Sequence, residues 1–199
     1  MILVEDSAVP TGALPLTAFK DHMRLGSGFS DEGMQDGVLE AALRSALAAI
    51  EARTNKILIE RSFTWTVTGW RDVYRQPLPA APVTAVTAVT LIDKQGGETA
   101  WPDTAWHLER DTHRPRLVAD GVHLPAIPHA GSIKVRMLAG FGPAWSDIPP
   151  DLAQAVMILA AHFYEFRYDA GGAAGQMPIA VNTLIGPFRN VRLFGGITS

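Results

Sequence analysis

The feature that most restricts how this chain can fold is a long apolar helix near its C-terminal end. Ser146 to Asp151 provides a helix cap and first-turn prolines, and the pattern predicts a helix from Pro150 to Tyr168. A surface helix usually buries one apolar stripe. This helix carries two stripes: Leu152, Val156, Leu159, Phe163 and Phe166, and then Ala153, Met157, Ala161, Tyr164 and Tyr168.

Two explanations account for the second stripe. The helix could be the central helix of its own fold, or it could also pack against a second subunit. In the second case we expect the inter-subunit contact to involve Met157, Ala161, Tyr164 and Tyr168.

The rest of the sequence predicts an α+β fold. Helical patterns cover Leu16 to Leu25 and a segment from Ser30 or Asp31 to Thr54, where Asn55 can form a left-handed stop. After Lys56 the apolar period changes to two, which indicates strands separated by prolines and spaced as in an antiparallel meander. These strand predictions begin with Ile57–Ile59 leading into 63–68, and continue with 83–92, 106–109, 116–118 and 133–137.

The segment that follows the long helix forms an apolar arm. Residues 170–175 are rich in glycine and predict a flexible hinge. The side chains beyond the hinge are too apolar to leave in water and too few to form a core, so we expect them to dock on a partner, or alternatively to fold back on their own subunit. Arg189 and Arg192 can pair with acidic groups there. The apolar residues are Ile179, Leu184, Ile185, Phe188, Val191, Leu193 and Phe194.

Composition and charge exclude several classes of protein. The 199 residues include no cysteine, which removes disulfides, thiol nucleophiles and cysteine metal sites. The net charge of −3 argues against a phosphate-binding surface. Met1 to Asp6 has no basic region, and the longest apolar run is far shorter than the ~20 residues of a membrane span. We therefore expect a protein made in the cytoplasm that does not enter the membrane.

Charge is distributed unevenly along the chain. Residues 1–36 contain two basic and six acidic side chains, a net −4, whereas residues 170–199 contain two basic side chains and no acidic ones, a net +2. Opposite charges at the two ends suit head-to-tail contact between copies, although solvated termini explain the pattern equally well.

No catalytic pattern emerges from the titratable residues. His107, Asp111 and His113 are close in sequence, and His162 and Glu165 are three residues apart, but neither group has the spacing of a known metal motif, so a metal-dependent hydrolase is a remote alternative. We expect no enzyme activity, cofactor or metal. The tryptophans could form a ligand or carbohydrate platform, but aromatic core is the simpler interpretation. They are Trp65, Trp70, Trp101, Trp106 and Trp145.

The order of motifs resembles the head–tail connector (adaptor) family of tailed bacteriophages and phage-derived gene transfer agents. Six matching segments follow one another over most of the chain. The most specific are Val135 to Gly142 and Ile148 to Arg167. The others are 16–25, 39–61, 82–96 and 178–189.

This resemblance implies a small helical bundle (residues 1–56 and 146–169), an inserted antiparallel β region (57–145), and a hinge with a docking arm (170–199), all in one structural unit. It further implies a dodecameric ring beneath the portal, located in the neck of a virion or phage-like particle assembled in the bacterial cytoplasm. The expected partners are the portal protein, neighbouring copies, and a stopper or tail protein below. Double-stranded DNA would pass through the channel only as cargo.

Overall fold

The architecture is α+β, as the sequence predicts. A computed structural model describes residues 1–24, 35–121, 123–168 and 176–189. The helices are α1 (Leu16–His22), α2 (Asp36–Thr54), α3 (Pro150–Glu165) and α4 (Ile179–Ile185). The strands are β1 (Ile2–Glu5), β2 (Arg61–Val67), β3 (Arg75–Pro77), β4 (Val83–Ile92), β5 (Glu98–Trp101), β6 (Trp106–Glu109), β7 (Arg116–Ala119) and β8 (Ser132–Ala139).

The helices share one apolar core in which α3 is the central element. Helix α3 packs against α2 on one side and α4 on another, so two of its faces are buried inside the subunit. Leu43 and Ile50 of α2, Leu152 and Val156 of α3, and Ile185 of α4 are fully shielded from solvent. The second apolar stripe of α3 is therefore explained largely by its central position in its own subunit.

Two helix ends show how local chemistry sets the boundaries. Asn55 ends α2 in the left-handed conformation at φ 55°, as predicted. Helix α3 ends at Glu165, three residues before the predicted end at Tyr168, and Arg167 Nη1 donates a hydrogen bond to the Tyr164 carbonyl at 2.9 Å. That bond satisfies one of the carbonyls left open by the last turn. The predicted start of α2 near Ser30 lies outside the described residues.

The strands form two antiparallel sheets over a second core. Five strands are arranged in the order β1-β2-β8-β4-β5, and three in the order β3-β7-β6. Along β2, Phe63, Trp65 and Val67 point into the core while Thr64 and Thr66 lie on the opposite, partly exposed face, which confirms the predicted alternation. The Asp93–Gly97 turn joins β4 to β5, as its sequence indicates.

Strand β1 is an addition to the expected architecture. Ile2 lies opposite Thr66 and Glu5 opposite Phe63, so the start of the chain extends the five-stranded sheet. The segment that the sequence assigns to the helical bundle, residues 1–56, thus begins with a strand.

The sheet and the helices meet where the chain enters β2 and leaves β8. Ile59 forms a parallel bridge with Gly142, and both Leu58 and Ile59 are buried in the helical core, not in the sheet where the sequence places them. Gly140 has φ +142°, and a Cβ atom there would lie 2.3 Å from the Cα atom of Glu60. Only glycine lets the two backbones approach this closely.

Candidate assembly surfaces

The four predicted inter-subunit residues differ in their accessibility. Met157 is buried in the helical core of its own subunit, and Ala161 and Tyr164 pack partly against the same core. Tyr168 is 87% exposed. Tyr164 and Tyr168 can therefore contact another chain, whereas Met157 is occupied inside the fold.

An aromatic patch surrounds the C-terminal end of α3. We define the patch as Val38, Tyr164, Phe166, Arg167 and Tyr168. The patch borders a groove of about 380 Å³ between α2 and α3. Val38 and Phe166 are both more than one-third exposed.

Polar contacts hold this patch in place. The Arg167 guanidinium lies over the rings of Tyr164 and Tyr168, with 4.5 and 4.8 Å from its carbon to the ring centroids. Its interaction with the Tyr168 side chain raises the pKa of Arg167 above its usual range, so the cation persists. The Tyr164 hydroxyl donates a hydrogen bond to Gln35 Oε1 at 2.8 Å. The patch thus combines aromatic rings with a cation.

The predicted docking arm is divided between the core and the surface. Ile185 is fully buried in α4, and Leu184 and Phe188 are half-buried against the same helical core. Ile179 is 85% exposed and Arg189 is also exposed. The first part of the arm is therefore packed on its own subunit. The hinge and the residues Val191, Arg192, Leu193 and Phe194 lie outside the described residues.

The histidine cluster does not form a metal site. His107 on β6 pairs with Asp120, which follows β7, and not with Asp111 or His113. Asp111 instead accepts the backbone N–H groups of His113 and Arg114, and these bonds lower the pKa of Asp111. Within the described residues, no group of three metal-binding side chains comes together.

On α3, the centroid of the His162 ring lies 4.8 Å from that of the Phe166 ring. The hairpin tip around Asp111 lines a second groove, of about 530 Å³, with residues 82–83 and 110–113.

The tryptophans do not form a single binding platform. Trp65 is buried in the sheet core, whereas Trp145 packs against the helical core. The Trp70 indole donates to the Pro125 carbonyl at 2.8 Å. Trp101 and Trp106 pack against the sheet core, and all five tryptophans, which lie within the described residues, are at least partly buried. Their positions are those of aromatic core residues.

Among the described residues, the start of the chain is an exposed apolar segment that the sequence patterns did not single out. Met1, Ile2, Leu3 and Val4 all expose 40% or more of their surface, although three of them lie in a strand. The available signal was four consecutive apolar residues at the start of the chain, followed by the acidic pair Glu5–Asp6.

No model of a known protein family matches the chain, and no curated protein matches it. Among solved structures, the chain is 49% identical to a chain described as "Neck of empty GTA particle computed with C6 symmetry", where GTA stands for gene transfer agent. The match covers 98% of this chain and 99% of that one, with a TM-score of 0.90. The chain belongs to the neck protein family of gene transfer agent particles.

Two further structures of the neck family agree with this assignment. A chain from "Virion of native gene transfer agent (GTA) particle" is 48% identical, with a TM-score of 0.87. A chain from "Neck of native GTA particle computed with C12 symmetry" is 45% identical, with a TM-score of 0.84. Both matches cover 98% of this chain and 99% of the other. As a member of this family, the protein is a structural component of the neck of a phage-like particle. Among the residues described, none of the helices has the length and apolarity to cross a membrane.

Proposed function

We propose that this chain is the head–tail connector of a phage-like particle. Copies assemble as a dodecameric ring beneath the portal, extend the DNA channel, and dock the next neck or tail component. The channel carries double-stranded DNA as cargo, and no chemical reaction is involved. The observation that carries the proposal is the likeness to neck chains over 98% of this sequence. The twelvefold symmetry used for one of those necks supports the proposed copy number.

The aromatic patch is proposed as one surface covered by another copy in the ring. Tyr168 and Phe166 offer apolar area outside the core, and Arg167 adds a fixed cation. Aromatic and arginine side chains are enriched at the centre of protein interfaces. Ala161 and Tyr164 border the same region, whereas Met157 acts only as core.

Portal docking is proposed for the end of the chain beyond α4. Ile185 and its buried neighbour Val181 anchor α4 on α3, so this part of the arm is the fixed base of the docking segment. Arg189, four residues after the end of α4, is exposed, and the residues beyond it add one cation and four apolar side chains. Those groups suit a surface that combines apolar pockets with acidic side chains.

A truncation after Phe188 tests portal docking. This truncation keeps the α4 anchor, so the body is expected to stay folded while binding to portal-bearing heads is lost. The control, Val73→Ser, changes one exposed residue of the body outside the arm and should leave head binding unchanged. Unimpaired binding by the truncated chain would transfer the portal contact to the helical body.

The connector role itself is tested by deleting the gene from the producing cell. The expected phenotype is DNA-filled heads without tails, and purified protein added to such heads should restore tail attachment. Complete, tailed particles in the deletion strain would contradict the proposed function.

A further inference from the structure

Both edges of the five-stranded sheet are open within the described part of the chain. Strand β1 forms one edge and β5 the other, and neither has a described strand on its outer side. An open edge presents unpaired backbone N–H and C=O groups that can pair with another chain. The subunit thus has two strand-pairing surfaces on opposite sides of one sheet.

The first three residues of β1 lack the side chains that usually prevent edge pairing. Proteins commonly protect edges with lysine, proline or bulges. Ile2, Leu3 and Val4 carry no charge, contain no proline, and are 63%, 40% and 49% exposed. Both faces of β1 expose apolar side chains, so an added strand can bury apolar surface on each face of the sheet.

The β1 strand is also firmly positioned. Glu5 Oε1 lies 2.9 Å from Arg61 Nε, and the Thr64 hydroxyl donates to Asp6 Oδ2 at 2.7 Å. The Asp6 N–H donates to the Ser62 carbonyl, and the Ser62 N–H donates to the Ser7 hydroxyl at 3.1 Å. The edge is therefore preformed, which lowers the entropy cost of adding a strand to it.

The β5 edge is complementary in length and accessibility. It has four residues, as β1 does, and Thr99 and Ala100 in its middle are small and exposed. Glu98 is held by Lys134 at 3.0 Å on its own sheet. Small central side chains leave the β5 backbone open to a neighbouring strand.

Strand direction makes the two edges compatible in a ring. All four junctions in the sheet are antiparallel, so β1 and β5, the first and fifth strands, run in the same direction. Cyclic symmetry uses one heterologous contact repeatedly. Rotation about an axis that runs along the strands preserves their direction, so β5 of one copy and β1 of the next would meet as a parallel pair.

We propose that β1 of each copy pairs with β5 of the adjacent copy, so that the sheet continues around the ring. This inference rests on the proposed ring and identifies one of its lateral contacts. It also gives a structural basis for head-to-tail association, because the two sides of the contact are different strands of the same sheet.

Cysteine crosslinking tests the pairing directly, because the chain contains no cysteine of its own. Copies carrying Val4→Cys are mixed with copies carrying Ala100→Cys, assembled on purified portal, and oxidised. Ile2→Cys and Leu3→Cys, each combined with Thr99→Cys or Ala100→Cys, cover alternative registers. We expect disulfide-linked pairs from at least one combination, and a ladder of oligomers when both cysteines are in one chain.

Matched controls distinguish the possible contacts. Val73→Cys, which is 55% exposed on a different part of the surface, should give no crosslink with Ala100→Cys. Crosslinking of β1 cysteines only to each other would show a twofold β1–β1 contact and overturn the proposal. Rings seen by electron microscopy without any β1–β5 crosslink would overturn the proposed strand pairing but would still support ring assembly. Absence of rings on the portal would reject the proposed function itself.

Hydrogen exchange provides a second measurement that needs no substitution. On ring assembly, the outward-facing amides of β1 and β5 should exchange at least about tenfold more slowly, because new backbone bonds protect them. Unchanged exchange at both strands in assembled rings would also overturn the proposal.

Discussion

Arg61 and Glu51 form a two-pronged ion pair between the sheet and the helical core. Arg61 Nη1 donates to Glu51 Oε1 at 2.9 Å, and Nη2 donates to Oε2 at 2.8 Å, with both side chains nearly buried. Burial alone would lower the pKa of Arg61, but the bonds and charges of Glu51 and Glu5 outweigh it and raise that pKa. The pair joins β2 to α2, and Glu5 extends the connection to β1.

Loss of the Glu51 carboxylate should destabilise the whole subunit. Glu51→Gln leaves the buried Arg61 charge with only the more exposed Glu5, which should cost about 3 kcal/mol of unfolding free energy. Urea denaturation measures the change. The matched control on the same helix is Glu40→Gln, which removes the partly exposed pair with Arg44 and should destabilise the subunit far less than Glu51→Gln. Equal effects from both variants would show that burial of the Arg61 pair is unimportant.

Lys56 should make the protein more stable at high pH. Its side chain is fully buried, and Nζ has no hydrogen-bond partner among the described residues. Burial lowers the pKa of Lys56 below the usual 10.5, and the charge of Asp111 opposes this only in part. Between the lowered pKa and 10.5 the unfolded chain binds more protons, so unfolding free energy rises with pH in that window.

Replacement of Lys56 should remove this pH dependence. Lys56→Met keeps the volume and eliminates the unsatisfied ammonium, so it should raise stability at neutral pH by about 1–2 kcal/mol. The difference should shrink as the pH approaches 10.5, as measured by denaturation at several pH values. Lys94→Met, at an exposed turn position, is the control and should change stability little. A destabilised Lys56→Met variant would contradict the expectation.

Helix α4 should contribute to the stability of the body. Ile185→Ala removes a fully buried side chain and should cost about 3 kcal/mol, which for a chain of this length lowers the melting temperature by roughly 6–12 °C. Ile179→Ala in the same helix alters an 85% exposed residue and should change stability by less than about 0.5 kcal/mol. If Ile185→Ala proved as stable as the parent chain, α4 would be detached from the core in solution.

Gly140 should tolerate no side chain. Gly140→Ala would place Cβ 2.3 Å from the Glu60 backbone at φ +142°, so a cost of at least about 2 kcal/mol is expected. The control Gly69→Ala meets no atom within 4 Å and should have a small effect. Calorimetry of the two variants makes the comparison, and a Gly140→Ala variant with parental stability would refute the close approach.

The free protein should form few rings without the portal. A preformed oligomeric platform raises the effective concentration of bound copies, so weak lateral contacts suffice there. Sedimentation at micromolar concentration should show mostly monomers or small oligomers. Tyr168→Asp, at an exposed position, should keep the monomer folded yet reduce ring assembly on the portal by at least about tenfold. Stable rings of the free parent chain would contradict this view of assembly.

Local sequence patterns predicted the strands that have strong local signals. The bounds of β4 and β6 agree with the prediction because β-branched or aromatic runs are flanked there by turn residues and prolines. Asn55 likewise ended α2 through its own conformational preference. These elements depend mainly on neighbouring residues.

Elements that depend on distant partners were less accessible to sequence reasoning. Strand β1 exists because it pairs with β2, whose residues lie some sixty positions along the chain, and no local pattern records that pairing. Met157 lies in the core that α2, α3 and α4 share, and local spacing does not record how helices so far apart in the chain come together. The sequence named Tyr168, Ile179, Met157 and Ile185 as candidate assembly residues. It could not show that the first two are exposed and the other two are buried.

If the sheet continues from copy to copy, its growth ends only when the last copy pairs with the first. Any open arc, whatever its number of copies, retains one bare β1 and one bare β5, and only closure eliminates both. The closing contact joins ends that already belong to the same assembly, so it forms without the loss of another copy's translational freedom. On the portal, incomplete arcs should therefore be scarce beside complete rings, and the geometry of the sheet would set the copy number.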